Sequence, residues 1–500
     1  MTWGKHKMEK QKVLDTHGVK VSVALVLILF LCMAMGCAVG PDFKKPETAL
    51  PESWVDGSHA EAGVAAQTDL TRWWILFDDP ALASLVQRAV ADNLDLKLAE
   101  ARIRQARAAR GIAASGLGPE LDATASFRRT QSAGSLTAAG ADLEGPLANQ
   151  YQAGFDASWE LDLFGGLRRG VEAADADLRA AVETRRDVLV TLTAEVAAGY
   201  IDFRSFQQRI AVARRNFEAQ KHSARLTRQR FEGGFASGLD VANAEAQVST
   251  TAAQIPLLEA SARQSVYSLG VLLGREPAAL LEELSMPLLI PAAPPSAPAG
   301  VPSDLLRRRP DIRKAEADIH AATARIGVAT ADLFPRLFIF GSAGYQAKET
   351  RAWFDPVSLF WSLGPSVSWP VFDTGRVRSN IEVQKALEER SVLTYRKTVL
   401  AALEEVESAL IASTKEQERR KALVDAVAFN QKAVDLSIKL YTEGQTDFLN
   451  VLQAQHSLFT TEDALAQSTR TVSTNLVALY KALGGGWDML SEPDKTPHQP

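Results

Sequence analysis

"YQAGFDASWELDLF", residues 151–164, decides the fold. Tyr151, Ala153, Phe155, Ala157, Trp159 and Leu161 alternate with Gln152, Asp156, Ser158, Glu160 and Asp162. A period of two over about ten residues is the pattern of a β-strand with one apolar and one polar face, and its length suits a strand that crosses a membrane, apolar toward lipid and polar toward a lumen. The segment before it, "ELDATASFR", behaves alike: Leu121, Ala123, Ala125 and Phe127 fall on one face, Asp122, Thr124, Ser126 and Arg128 on the other. Later in the chain "RLFIFGSAGYQ" and "FWSLGPSVSWPVF" form a second pair, with Leu363, Val367, Trp369 and Val371 against Ser362, Ser366 and Ser368. Four such strands cannot close a barrel, and open edges in hydrocarbon leave unpaired backbone groups that cost several kcal/mol each. If these strands span, several chains must complete one barrel; three copies would supply twelve strands.

Working outward, the chain contains itself twice. "RFEGGFASGLDVANAE" (230–245) lies over "LYTEGQTDFLNVLQAQ" (440–455) at an offset of 210, which sets Phe231 on Tyr441, Gly234 on Gly444, Leu239 on Leu449 and Val241 on Val451. "LAEARI" (98–103) lies over "KAEADI" (314–319) at an offset of 216, with Pro119 on Pro335. Each copy is a unit of about 200 residues. Between the strand pairs run very long helical stretches: Val171 to Phe231 has no proline and the single glycine Gly199, and Arg376 to Glu443 has neither. Apolar residues recur there every three or four positions with Glu, Lys and Arg between them, as amphipathic helices require. At 1.5 Å per residue each is a rod of roughly 90–100 Å. A short glycine-bearing turn, 232–239 or 443–447, leads into a returning helix, Asp240 to Leu273 (with a kink expected at Pro256) and Phe448 to Leu483.

The N-terminus reads as an export signal. Lys5, Lys7, Lys10, Lys12 and Lys20 precede an uncharged run from Val21 to Met35, too short for the roughly 20 residues of a spanning helix. Gly36-Cys37 then offers a small residue before a cysteine, the requirement of a lipoprotein signal peptidase, although Ala34 stands where leucine is usual. Cleavage there leaves Cys37 to carry acyl chains such as palmitate; a plain signal peptide or a retained anchor is the alternative. Ala38 rather than Asp follows the cysteine, so the usual inner-membrane retention signal is lacking, and Val39 to Pro46 should run extended. The chain after residue 36 has 50 bases against 58 acids, a net charge of −8 that argues against a nucleic-acid partner. With Cys37 its sole cysteine, it has no internal disulfide, zinc-cysteine site or cysteine nucleophile.

"CAVGPDFKKP" (37–46), "DDPALASLVQRAVADNLDLKLAEARIRQAR" (78–107), "WELDLFGGLRR" (159–169), "LRRRPDIRKAEADI" (306–319) and "LYKALGGGW" (479–487) together resemble the outer-membrane efflux lipoproteins of the TolC-like superfamily, NodT/OprM branch. The resemblance covers nearly the whole chain after the signal. It implies an α+β membrane protein: a homotrimeric, twelve-stranded β-barrel in the cell outer membrane, four strands per chain, continuous with a long periplasmic α-helical barrel. It further implies the passive exit duct of a tripartite efflux system for small toxic compounds, of the kind that confers multidrug resistance, with a periplasmic adaptor and an inner-membrane pump of RND type as partners. Polypeptide secretion uses the same architecture and is the alternative. The resulting division is a signal over 1–36; an extended segment over 37–78; a first repeat over 79–290, with a β-hairpin at 120–163 and a helical hairpin at 166–274; a Pro-rich linker over 291–303; a second repeat over 304–484, with hairpins at 336–372 and 375–484; and a tail over 485–500.

No enzymatic chemistry, cofactor or metal is expected. GxSxG, HExxH and GxxxxGK[ST] are absent, and the seven histidines are scattered, with His222, His320 and His456 falling in helices. The resemblance places a constriction at the start of the second returning helix, on a leucine and, one turn later, an acid; these positions are Leu449 and Gln453, so the acid is missing. Asp447 is the nearest substitute, but both it and Asp240 open helices and could simply cap free N–H groups. The tip residues Phe231, Gly234, Tyr441 and Gly444 are expected to dock the adaptor, while their glycines also end helices in the left-handed conformation. Trp159, Trp361 and Trp369 are candidates for an aromatic girdle at the lipid boundary or for core packing. Loops 131–149 and 347–358 should lie outside the cell.

Overall fold

The computed structural model describes residues 38–48, 50–55, 70–131, 147–292 and 302–487. Cys37 with the signal before it, most of loop 131–149, most of linker 291–303 and the tail from residue 488 lie outside the described residues. The helices are α1 Pro80–Asp92, α2 Leu94–Ser115, α3 Gly166–Glu232, α4 Gly238–Leu272, α5 Pro302–Arg308, α6 Pro310–Ala331, α7 Arg376–Thr442 and α8 Phe448–Ala482. The strands are β1 Glu120–Gln131, β2 Leu147–Leu161, β3 Arg336–Ala347 and β4 Leu359–Ser368. Both α3 and α7 have 67 residues and both α4 and α8 have 35, the second of each pair beginning 210 residues after the first. None of the described helices is long and apolar enough to cross a membrane. The chain divides into two compact units.

The first unit draws on Met1–Pro46, Ile103–Ala180 and Glu316–Thr394. Its centre is one antiparallel sheet in the order β1-β2-β3-β4. The register explains the alternation residue by residue. Leu121 opposes Ala157, Ala123 opposes Phe155 and Phe127 opposes Tyr151; the same row continues through Tyr345 opposite Ala153, Ile339 opposite Trp159, and Val367 opposite Leu337. Asp122 opposes Asp156 on the other row, where the Thr124 hydroxyl donates to Asp156 at 2.8 Å and the Ser342 and Ser362 hydroxyls meet at 2.7 Å. The polar row is less pure than expected: it also carries Phe338 and Phe340, because "LFIF" is apolar on both faces, and Phe360 from "LFW" on β4. The apolar row stays bare, with Leu121 66 %, Leu363 73 % and Trp361 75 % exposed. Outer edges of β1 and β4 have no neighbour among the described residues.

Strand β4 ends at Ser368, before Trp369 and Val371, which were expected within it. Ser368 opposes Arg336, the first residue of β3, and Pro335 before it has no N–H to extend the ladder, so the pairing stops there. The Trp369 indole instead donates to the Leu333 carbonyl at 3.0 Å, and Trp159 donates to the Leu117 carbonyl at 3.0 Å in the first copy. Trp159, Trp361 and Trp369 are all exposed, so core packing within this chain does not account for them.

The segment from Ala38 to Pro46 is extended, and it is tied down on the first turns of α3 and on α6. Val39 N–H donates to Phe164 at 3.0 Å; the Arg169 guanidinium, only 7 % exposed, reaches Asp42 at 2.6 Å, Glu172 at 2.7 Å and the Val39 carbonyl at 3.3 Å. Phe43 stacks on His320 with centroids 4.4 Å apart, and Lys45 pairs with Glu316 at 2.7 Å. His320 is thus a packing residue whose Nε2 lies 2.9 Å from Glu172 and whose Nδ1 lies 2.9 Å from Arg179.

The second unit draws on Glu47–Arg102, Ala181–Ala315 and Tyr395–Pro500. Within the stretch read as extended, Leu70–Phe77 coils into a 3-10 helix, because Trp73, Trp74 and Phe77 can be buried together only if the backbone turns. Trp73 stacks on Tyr480 at 5.2 Å, and Asp79 caps α1 by accepting from Ala81 N–H at 2.9 Å and Leu82 N–H at 3.0 Å while Tyr200 donates to it at 3.0 Å. Burial pushes the Tyr200 and Tyr480 hydroxyls up to about 12. Arg309, from the "LRRRPDIRK" stretch, joins α5, α6, α7 and α8: it reaches Asp311 at 2.7 Å, Glu405 at 2.6 Å and the Ala482 carbonyl at 3.0 Å. Its buried guanidinium is held charged by those two carboxylates. Helix α4 continues through Pro256.

Candidate functional site: the helical tips

Two hairpin tips, α3 to α4 and α7 to α8, lie in the second unit and carry every residue expected to gate or dock. Both close the same way. Gly234 and Gly444 take φ of +81° and +75°, a left-handed turn open to glycine without strain. Phe235 N–H then donates to Arg230 at 2.8 Å, and Gln445 N–H to Leu440 at 2.8 Å, which satisfies carbonyls left free by the helix end.

Beyond that closure the tips differ. Phe231 is 48 % exposed and Phe235 78 %, so the first tip presents apolar rings. Tyr441, its counterpart by offset, is 5 % exposed and packs with Ala244, Phe448 and Val451. The expectation that Tyr441 belongs to a docking surface is therefore corrected: its ring is buried inside the tip, and its hydroxyl reaches Thr227 at 3.4 Å. Phe231, Gly234 and Gly444 stay at the surface.

Capping separates the tips further. Ser237 is the N-cap of α4, and Asp240 is the third residue of a capping box, accepting from Ser237 N–H at 3.0 Å while Asp240 N–H donates to the Ser237 hydroxyl at 3.1 Å. Asp447 is the N-cap of α8 but makes no side-chain capping bond. Its exposed carboxylate is left to the surroundings. Leu449 and Gln453 follow on one face of α8, four residues apart and both exposed, while the opposite face buries Phe448, Val451, Gln455 and Leu458. An apolar side chain 53 % exposed beside a buried Phe448 marks Leu449 as turned away from the packed seam.

That seam, between α3 and α8, escaped the sequence reading. Arg209 grips Asp463 at 2.6 and 3.1 Å; Asn216 donates to Glu462 at 2.6 Å; buried Gln455 donates to Ser223 at 2.8 Å. At the tip, α3 also meets the end of α7: the Arg230 guanidinium lies 4.8 Å over the Tyr441 ring and donates to the Thr442 carbonyl at 3.0 Å. Those charges look like an ordinary solvated helix face. The available signal was Asn216, Ser223 and Thr227, small polar residues at helical spacing amid long charged ones. Among the described residues no group of three or more His, Cys, Asp or Glu converges as a metal site.

The family model described as "Outer membrane efflux protein" matches residues 85–275 and again 301–485. Nodulation protein T of Rhizobium leguminosarum bv. trifolii is 32% identical over 469 residues, 93% of this chain and 97% of that protein. The pyoverdine export outer membrane protein OpmQ of Pseudomonas aeruginosa is 33% identical over 470 residues, 93% of this chain and 98% of its own. Among solved structures, the outer-membrane channel OprN superposes with a TM-score of 0.84 at 38% identity, covering 90% of this chain and 100% of that one.

Proposed function

The chain belongs to the outer membrane efflux protein family, and from that premise we propose that it is the outer-membrane exit duct of a tripartite efflux system. The observation that carries this reading is the sheet: four strands, a bare apolar row and two open edges. In lipid, open edges are untenable, and pairing β4 of one copy with β1 of the next removes them. Three copies supply twelve strands, inside the range of closed barrels, and the duplicated helical hairpins of the trimer then line a tunnel in the periplasm. The apolar row supports this dimensionally. From Tyr151 to Leu161 it runs ten residue steps, about 33 Å along a strand and about 25 Å along the membrane normal at a roughly 40° tilt, the height of the apolar band of outer-membrane barrels.

In this reading Leu449 narrows the periplasmic mouth, Asp447 supplies its charge in place of the acid missing at Gln453, and Phe231, Gly234 and Gly444 meet the adaptor. An inner-membrane pump of RND type drives the flow, and Cys37 anchors the chain through acyl groups. The relative named for pyoverdine export favours a small-molecule cargo over a polypeptide. The duct itself carries no chemistry, so cargo choice rests with the pump.

The test is twofold. Outer-membrane fractions should contain the protein as trimers that resist dissociation by heat, and deletion of its gene should sensitise cells to small toxic compounds. A monomer in the soluble fraction, or unchanged tolerance across drugs, metals and solvents, would refute the duct.

A further inference from the structure

The apolar row of the sheet changes character at one level. On β1 it reads Leu121, Ala123, Ala125, Phe127, then Arg129; on β2 it reads Tyr151 and, one step beyond, Asn149, which is the register partner of Arg129. At that level five aromatic rings form a continuous chain: Phe127 and Tyr151 at 4.7 Å, Tyr151 and Trp353 at 6.1 Å, Trp353 and Phe354 at 6.0 Å, Phe354 and Tyr345 at 5.7 Å. Rings of this kind mark the edge of an apolar band, where one end of the side chain is dry and the other wet. Arg129 lies two residues past that edge, roughly 7 Å along the strand. It is exposed, and among the described residues it has no hydrogen-bonded or ion-paired partner. Arg128, its neighbour, falls on the opposite row with Asp122 and Thr124.

We propose that Arg129, seated just outside the belt of Phe127, Tyr151 and Trp353, binds the anionic phosphate of an outer-leaflet lipid headgroup. This rests on the duct reading, which turns the odd-numbered row of β1 toward lipid and carries the far ends of the strands to the outer leaflet. A guanidinium is costly on the lipid face at the bilayer midplane and nearly neutral at the interface, where a phosphate oxygen can accept its paired N–H donors. The lipid phosphate is favoured over a free anion because the apolar belt directly beside Arg129 suits the acyl part of the same molecule.

The test uses the full-length protein in phosphatidylcholine nanodiscs containing either bisphosphorylated lipid A or its dephosphorylated form, with retained lipid counted by native mass spectrometry. Wild type should hold the bisphosphorylated form more tightly, Arg129→Gln should lose that preference by about fivefold, and Arg129→Lys should keep most of it. Arg128→Gln, one residue away on the other row, should behave as wild type. Equal binding of both lipid forms by wild type, equal effects of the two glutamine substitutions, or competition by inorganic phosphate alone would overturn the site. Failure of every variant to form a conducting oligomer in any lipid would instead overturn the duct reading beneath it.

Discussion

Gly40 and Gly327 cross with their backbones in contact: a Cβ added to Gly40 would stand 2.5 Å from the Cα of Gly327, and one added to Gly327 would stand 3.0 Å from the Val39 carbonyl oxygen. No side chain fits between the N-terminal segment and α6 at this point. The close approach aligns Asp42 with Arg169 and Phe43 with His320, so a pair of glycines sets the path by which the chain leaves its N-terminus.

Gly327→Val should therefore lift the segment without unfolding α6, since valine is tolerated in helices. Forced overpacking costs about 1–3 kcal/mol. Amide exchange at Val39, whose N–H is bonded to Phe164, should accelerate about tenfold or more, and an unchanged rate would show that the crossing is slack.

Acid should loosen the same clasp. Burial pushes the Glu172 carboxyl up, but hydrogen bonds from Arg169 and His320 outweigh it and hold the group below its ordinary 4.5. A depressed carboxyl binds fewer protons folded than unfolded, so its contribution is present above 4.5 and is lost as pH falls through the lower folded value. Protection of the Val39 amide, corrected for the intrinsic pH dependence of exchange, should fall over that acid window in wild type and stay flat in Glu172→Gln.

Leu449→Ala separates gating from folding. The side chain is 53 % exposed, so its removal should change stability by less than about 0.5 kcal/mol. If Leu449 narrows the mouth, single-channel conductance of the reconstituted protein should rise; equal conductance would place the constriction elsewhere.

The two helix starts make opposite predictions. Ser237→Ala removes a capping box and should destabilise by about 1 kcal/mol. Asp447→Asn removes no capping bond, so it should leave the melting temperature within a degree or so while reducing the preference of the channel for cations. A stability loss equal to that of Ser237→Ala, with unchanged ion preference, would return Asp447 to a capping role.

Much of this could be read from local pattern. Alternation in "YQAGFDASWEL" announces a two-faced strand because neighbouring Cβ atoms must point oppositely, and the proline-free stretches before Phe231 and Tyr441 announce helices because nothing in them interrupts the hydrogen-bond ladder. Glycines at the tips were legible for the same reason: a left-handed residue is a local requirement. Where local pattern was ambiguous, as in "RLFIF", the face assignment had to wait for the register.

What the sequence by itself determined, then, is the kind and length of each element, the doubling of the unit and the positions of the turns, all set by interactions within a few residues. Only the tertiary structure decided that Tyr441 is buried while Phe231 is not, that Asp240 caps while Asp447 does not, that Trp73 must coil inward, and that Arg129 ends an otherwise apolar row. The burial of Tyr441 and of Trp73 depends on partners hundreds of residues away, Thr227 for the one and Tyr480 for the other, and the periodicity of one segment carries no record of which distant side chain will fill the space beside it.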